Sequence, residues 1–279
     1  MAQTSGRARP GAAMPTSVGA GKIMILGRDR VAYAGLLGEP TVRSFGCLTV
    51  YSALASPLRI DAQGSGFQAA GMAIVPPYVP HRVSTRDRMI GVLMIEPESV
   101  DPDGLPRWLA AAQACEVTEP VAARTRDSFL GLLRGDYGRD LTGVDTDQLF
   151  LGRPLAPRAL DPRIAAIVAR ICSCPHGQLS AEESARIAGL SFSRFLHLFR
   201  AEVGATFRGF RAWKRARSFL RYANGTPSLA DLALEIGYPD STHFSHSIRQ
   251  VYGLRPKDIF AGSRDLAIVR QDAERLAAR

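Results

Sequence analysis

The sequence predicts an α+β chain: an N-terminal β-barrel-like domain of jelly-roll type with a helical pair, then a C-terminal all-α domain built on two helix-turn-helix units in tandem. Three observations predict it. Before residue 100, short β-branched and aromatic runs alternate with Gly and Pro. From 101 to 144 the apolar residues switch to helical spacing. Between Leu179 and Phe260 one helical pattern occurs twice.

At 279 residues and 46% hydrophobic, the chain suits two domains with ample cores. No apolar run approaches the roughly 18 residues of a membrane helix, so no membrane partner is expected. Met1–Gly21, rich in Gly, Ala, Ser and Pro without an apolar centre, reads as a disordered leader rather than a secretory signal. The formal charge of +9 suits a polyanionic partner. Four scattered cysteines (Cys47, Cys115, Cys172, Cys174) give no disulfide framework, and a reducing cytoplasm is the expected compartment.

In chain order, the expected strands are Ile23–Leu26, Val31–Ala34, Cys47–Ala53, Leu58–Ile60, Phe67–Ala69, Met72–Val75 and Met89–Ile95. They belong to one domain over 22–100. Leu105–Ala114 and Val121–Leu133 read as helices of the same domain, over 101–144, free to pack on it or to form a dimer interface. The segment 145–161, with Pro154 and Pro157 among basic residues, reads as the interdomain linker. The second, helical domain is placed at 162–262, and 263–279 is a tail of helical character.

The repeat carries the function. Its first copy runs Ala185-Arg-Ile-Ala-Gly189-Leu190-Ser191-Phe-Ser-Arg-Phe195-Leu-His197-Leu-Phe199-Arg200 and closes at Gly204. The second runs Ala233-Leu-Glu-Ile-Gly237-Tyr238-Pro-Asp240-Ser-Thr-His243-Phe244-Ser-His246-Ser-Ile248-Arg249 and closes at Gly253. Gly189 precedes Gly237 by 48 positions and Phe195 precedes Phe244 by 49, so the second turn is one residue longer. Ser180 with Glu183 forms a capping box, and Ser191, Ser228 and Asp240 stand where helix caps are needed. In the first unit Phe195, Leu198, Phe199 and Val203 make the buried face; in the second Phe244, Ile248, Val251 and Tyr252 do. Short helices with exposed polar N-terminal residues are what major-groove reading requires. Between the units, Phe207, Phe210, Trp213, Ala216 and Leu220 form an apolar stripe, with Arg208, Arg211, Lys214, Arg215, Arg217 and Arg221 over the rest. A strut of this kind, about 24 Å long, suits two heads about one DNA turn apart.

Leu179–Phe260 resembles the DNA-binding domain of the AraC/XylS family of transcription regulators. The signature lies in Ala233, Gly237-Tyr238, Asp240, His243-Phe244, Arg249 and Gly253-Leu-Arg-Pro256. The resemblance implies two helix-turn-helix motifs on successive major-groove faces of double-stranded DNA. By motif position it implies base reading by Ser193, Leu196, His197, Ser241, Thr242 and His246. Phosphate contacts fall to Ser191, Arg194, Arg200 and Arg249. His246 stands where Arg is common in the family and Ile248 where Phe is common, so the second head is expected to rely more on phosphates. The corner Met72-Ala-Ile-Val-Pro76-Pro77-Tyr-Val-Pro80-His81-Arg82-Val83 resembles that of cupin domains, which serve as sensor and dimerisation modules in the family. The partners this implies beside DNA are a small organic effector, a second copy of the chain and RNA polymerase. An N-terminal domain serving only as an interaction module is a rival expectation.

Catalysis finds little support: the chain has no Gly-rich phosphate loop after a strand and no Gly-x-Ser-x-Gly elbow. The enzymatic alternative is a cupin-type oxygenase fused to a DNA-binding module. Thr41–Thr49 holds no His, which puts a metal-dependent activity in doubt, and a lone His81 reads as turn-stabilising. No cofactor, metal site or catalytic residue is expected. Glu96 and Glu98 read as a surface pair, and Cys172-Ser-Cys174-Pro-His176 as an incomplete soft-metal or redox motif. Val50, Ile60, Ile74, Val75, Val92 and Met94 are the expected effector-facing interior of the barrel.

Overall fold

The computed structural model describes residues 21–62, 64–110, 119–138 and 140–271. The expected leader, the end of the Leu105–Ala114 helix, Cys115 and the last eight residues lie outside them. Nine strands occur among the described residues: β1 (Ile23–Leu26), β2 (Arg30–Leu36), β3 (Leu48–Ala53), β4 (Leu58–Ala62), β5 (Gln68–Ala70), β6 (Met72–Val75), β7 (His81–Thr85), β8 (Met89–Ile95) and β9 (Ala267–Arg270). They form a six-stranded sheet, in the order β6-β3-β8-β2-β1-β9, and a three-stranded one, β5-β4-β7. The barrel-like expectation is thus met by two open sheets that share an apolar cluster without closing.

Strand periodicity sorts the core. In β1, β3, β6 and β8 both faces are buried, so alternate residues enter different clusters. Met24, Tyr51, Val75, Val92 and Met94 face the small sheet and the C-terminal half. Ile25, Val50, Ile74, Leu93 and Ile95 face the helices α1 (Arg107–Ala110), α2 (Glu119–Arg134) and α3 (Thr146–Leu151). The helical pair therefore packs on the sheet. Phe129 of α2 lies so close to β8 that a Cβ at Gly91 would come within 2.3 Å of its ring.

Two expectations are corrected. Residues 146–151, inside the stretch read as linker, form α3: Asp145 caps it, accepting from the Gln148 N–H, and Asp147 takes a bidentate pair from Arg30 at 2.6 and 2.8 Å. The tail is not helical at 267–270, where β9 adds parallel to β1 and satisfies that strand's free edge.

The C-terminal helices are α4 (Pro162–Ser173), α5 (Ala181–Ile187), α6 (Phe192–Val203), α7 (Phe207–Ser218), α8 (Leu229–Glu235), α9 (Ser241–Tyr252) and α10 (Pro256–Gly262). A 3-10 turn at Phe219–Tyr222 prolongs α7. The two units sit in different cores. α4, α5 and α6 gather around Phe195, Phe199, Phe207 and Phe210, a network of rings 5.3–5.7 Å apart. α8 and α9 share their cluster with the β domain, where Phe45 meets Trp213 and Tyr252.

Candidate nucleic-acid interface

Each head is a helix, a glycine turn and a second helix. Gly189 and Gly237 have φ of +65° and +84°, a left-handed conformation that favours glycine. After each the chain folds back, with Leu190 N–H donating to Ala185 O and Tyr238 N–H to Ala233 O, at 2.9 and 2.8 Å. The capping differs between the units. Ser180 Oγ accepts from the Glu183 N–H at 3.0 Å, one half of the expected box, while the Glu183 carboxylate lies 4.0 Å from Arg170. Ser191 and Ser228 occupy cap positions, but their hydroxyls make no capping bond, which corrects the expectation for both. Asp240 caps fully: Oδ1 accepts from the Thr242 and His243 N–H groups, each at 2.8 Å, and Oδ2 from His243 Nδ1 at 2.8 Å. The His243 backbone N–H, then its ring, hold the Asp240 carboxyl below its usual range.

α6 and α9 are equivalent: 12 residues each, ending in a left-handed glycine, Gly204 or Gly253. Phe195, Phe199 and Val203 are buried in the first; Phe244, Ile248 and Tyr252 are in the second. Leu198 and Val251, expected in the core, are half-buried. Of the candidate base readers, Ser193, His197, Thr242 and His246 are exposed, and Leu196 and Ser241 are half-buried. Ser191, Arg194, Arg200 and Arg249, the phosphate candidates, are exposed. Each head thus brings its own candidates together on one solvent-facing helix.

The strut departs most from expectation. Lys214 and Arg217, read as part of its polar cover, face the β domain, Lys214 buried and Arg217 half-buried. Trp213 Nε1 and Lys214 Nζ donate to Glu96 Oε2 at 2.8 and 2.7 Å. Arg217 Nε lies 2.7 Å from Glu96 Oε1, Lys214 also pairs with Glu98, and Arg217 donates to Gly27 O at 2.6 Å. Glu96 and Glu98, read as a surface pair, are 1% and 6% exposed, a second correction. Burial alone would raise the Glu96 carboxyl, but Lys214 and Arg217 outweigh it and hold it low. Burial, then the Glu96 charge, pushes Glu98 up. Arg211 and Arg215 point elsewhere, to Gly177 O at 2.9 Å and over the Tyr238 ring at 5.4 Å.

A strap joins the β domain to the end of α9. Thr41 Oγ1 donates to Gly253 O at 2.5 Å and Ser44 N–H to Val251 O at 3.0 Å, satisfying carbonyls that the helix end leaves free. Beneath it, between the β domain, α9 and α10, lies a cavity of about 590 Å³. Of the expected interior residues only Val92 and Met94 line it; Val50 and Ile74 face the other side of the sheet, and Ile60 and Val75 pack in the shared cluster. Arg43, 5% exposed, stands in its wall, with Arg88 and Arg255 also lining it.

His81 is committed to structure. Its Nδ1 donates to Val79 O at 2.8 Å, so Nε2 accepts from Tyr51 OH at 2.7 Å, and burial lowers its pKa to about 4. Cys174 Sγ lies 3.2 Å from His176 Nε2, and burial pushes Cys172 up to about 11. Among the described residues no group of three His, Cys, Asp or Glu is arranged to hold a metal. No helix there is long and apolar enough to cross a membrane.

A family model described as a helix-turn-helix domain matches residues 184–262, both heads together. This C-terminal part is therefore similar to the helix-turn-helix domains of AraC-type regulators. The invasion protein InvF of Salmonella typhimurium is 29% identical over 72 residues, 25% of this chain. The match spans 33% of InvF's own length. ToxT from Vibrio cholerae O395 aligns over 85% of this chain and 99% of its own, with a TM-score of 0.52 at 9% identity. Unsaturated fatty acid bound ToxT from strain SCE256 aligns over 84% and 95%, at 0.50 and 10%. At these identities the likeness is one of fold alone.

The ionic cluster and the strap escaped sequence reading. The signal available was Lys214, one of only three lysines, next to Trp213 on the apolar stripe of a helix otherwise rich in Arg.

Proposed function

We propose that the chain is a transcription regulator that reads double-stranded DNA through two unequal heads, under the control of a small apolar carboxylate in the interdomain cavity. The equivalence of α6 and α9 carries the first part: two helices of one length, each with a buried aromatic face, exposed residues at its N-terminal end and a left-handed glycine at its close. In this reading Ser193, Leu196, His197, Ser241, Thr242 and His246 face base edges, and Ser191, Arg194, Arg200 and Arg249 face phosphates. The free Ser191 hydroxyl suits a phosphate oxygen.

The effector part is supported by the cavity, whose volume falls within the roughly 300–1,000 Å³ of small-molecule sites. Its walls are largely apolar. Arg43 places there a buried guanidinium whose Nε has no hydrogen-bond partner among the described residues. ToxT, similar in fold, has been solved with an unsaturated fatty acid. Arg43 lies within the strap on α9, so a ligand seated on it acts where the second head is held.

The test is fluorescence anisotropy of the full chain on a selected duplex, with and without oleate. Oleate is expected to change the affinity of the wild type, and Arg43→Met to abolish the response while leaving DNA binding. A wild type indifferent to oleate and to other amphipathic carboxylates overturns the effector assignment. A chain with no preference among duplexes overturns the reading of DNA sequence.

A further inference from the structure

We propose that the first head reads thymine methyl groups through Phe192 and Leu196, whereas the second reads by hydrogen bonding. This rests on the DNA-reading function proposed above and adds Phe192 to the reading set.

The register of the two helices leads to it. With Ser191 and Asp240 at the caps, each α6 residue has an α9 counterpart 49 positions on. Their buried positions coincide, and the exposed polar ones match in kind: Ser193 with Thr242, His197 with His246, Arg200 with Arg249. Three apolar residues of α6 have serines as their α9 counterparts: Leu198 pairs with Ser247, where each packs within its own unit, and the other two stand nearer the solvent-facing side. Phe192 pairs with Ser241, and Leu196 with Ser245. Phe192 and Leu196, four residues apart, are neighbours on one flank of α6.

Phe192 has no packing role to explain it. It is 46% exposed at the first turn, outside the cluster that holds Phe195, Phe199, Phe207 and Phe210. Leu196 is half-buried at that cluster's rim, which fixes the lower part of the ledge. Ser193 and Arg200, three and four residues from Leu196, border the ledge, with His197 beyond them, all exposed. An apolar ledge within a basic helix face fits DNA better than an apolar protein partner. In the major groove the apolar feature is the thymine C5-methyl group, which Phe and other apolar side chains contact. At the matching place in α9, Ser241 and Ser245 offer hydroxyls, which donate to or accept from base edges.

The experiment begins with selection of bound sequences by the full chain. Each thymine of the selected site is then replaced by deoxyuridine, which removes the methyl group and leaves base pairing intact. Within the half-site whose base preference changes in His197→Ala, deoxyuridine is expected to weaken wild-type binding about fourfold per contacted methyl, as expected for one buried methyl-sized group. Phe192→Ser or Leu196→Ser is expected to remove that penalty. Because the first comparison alters only the DNA, it does not depend on how a variant folds. Deoxyuridine that is neutral throughout that half-site overturns the inference, as does a penalty undiminished in both variants. A selection that enriches no sequence overturns the DNA-reading function, and this inference with it.

Discussion

His246 and Arg249 lie three residues apart on the exposed side of α9, yet different tasks are assigned to them. A phosphate contact carries no sequence information, so Arg249→Ala is expected to weaken binding to all duplexes alike. It should also reduce the slope of log affinity against log salt by about 0.9 in magnitude. His246→Ala and Thr242→Ala are expected to alter preference at particular bases, leaving that slope almost unchanged. Titrations at several salt concentrations, on selected and random duplexes, separate the two; equal losses for both kinds of variant contradict the division. His81 gives a residue-scale prediction for stability. Its pKa is lowered from 6.5 to about 4 by burial, so the unfolded chain binds the extra proton between those values. Its contribution is therefore full above about pH 6.5 and is lost as pH falls towards 4. The stability difference between wild type and His81→Gln, measured by urea unfolding, is expected to shrink from pH 7 to pH 5.

Among the elements, α7 is held most distinctively, through Glu96, Glu98, Lys214 and Arg217. Glu96→Gln leaves the buried Lys214 and the half-buried Arg217 undercompensated and is expected to cost about 3–5 kcal/mol. Combining it with Lys214→Met should restore part of that loss, as a double-mutant cycle in urea would reveal; strict additivity contradicts the cluster. At β8, Gly91→Ala forces the Phe129 ring aside and is expected to cost about 1–3 kcal/mol, read from the same unfolding curves. How far the elements were legible follows from what fixes them. β1, β3, β6 and β8 were readable because both their faces are buried, so their apolar runs are continuous. α6 and α9 were readable from spacing and turn glycines, local features that the chain states twice. β9 was not, because four residues, Ala-Ile-Val-Arg, acquire a state only by pairing with β1 at the other end of the chain. The burial of Lys214 was hidden for the same reason: Glu96 lies 118 residues away, and a lysine beside arginines reads as solvated.

At the scale of the molecule, the two heads have different anchorage. The first unit owns its core, whereas the second shares a cluster with the β domain and is tied to it by the Thr41–Ser44 strap. An effector in the cavity should therefore act on the second head more than on the first. Hydrogen exchange of the full chain with oleate is expected to change protection at the strap and the end of α9, and much less along α6; equal changes in both helices contradict this. The site was legible in part for a corresponding reason. The candidate reading residues follow one another along two helices, while the cavity wall is assembled from β strands, the strap and α10, which meet only in the fold. The central claim, two heads reading one stretch of DNA, is tested most directly by hydroxyl-radical footprinting of the full chain on its selected duplex. Two protected patches about one helical turn apart on one face of the DNA are predicted, with His197→Ala weakening one and His246→Ala the other. A single patch, or two patches that both variants weaken equally, would contradict it.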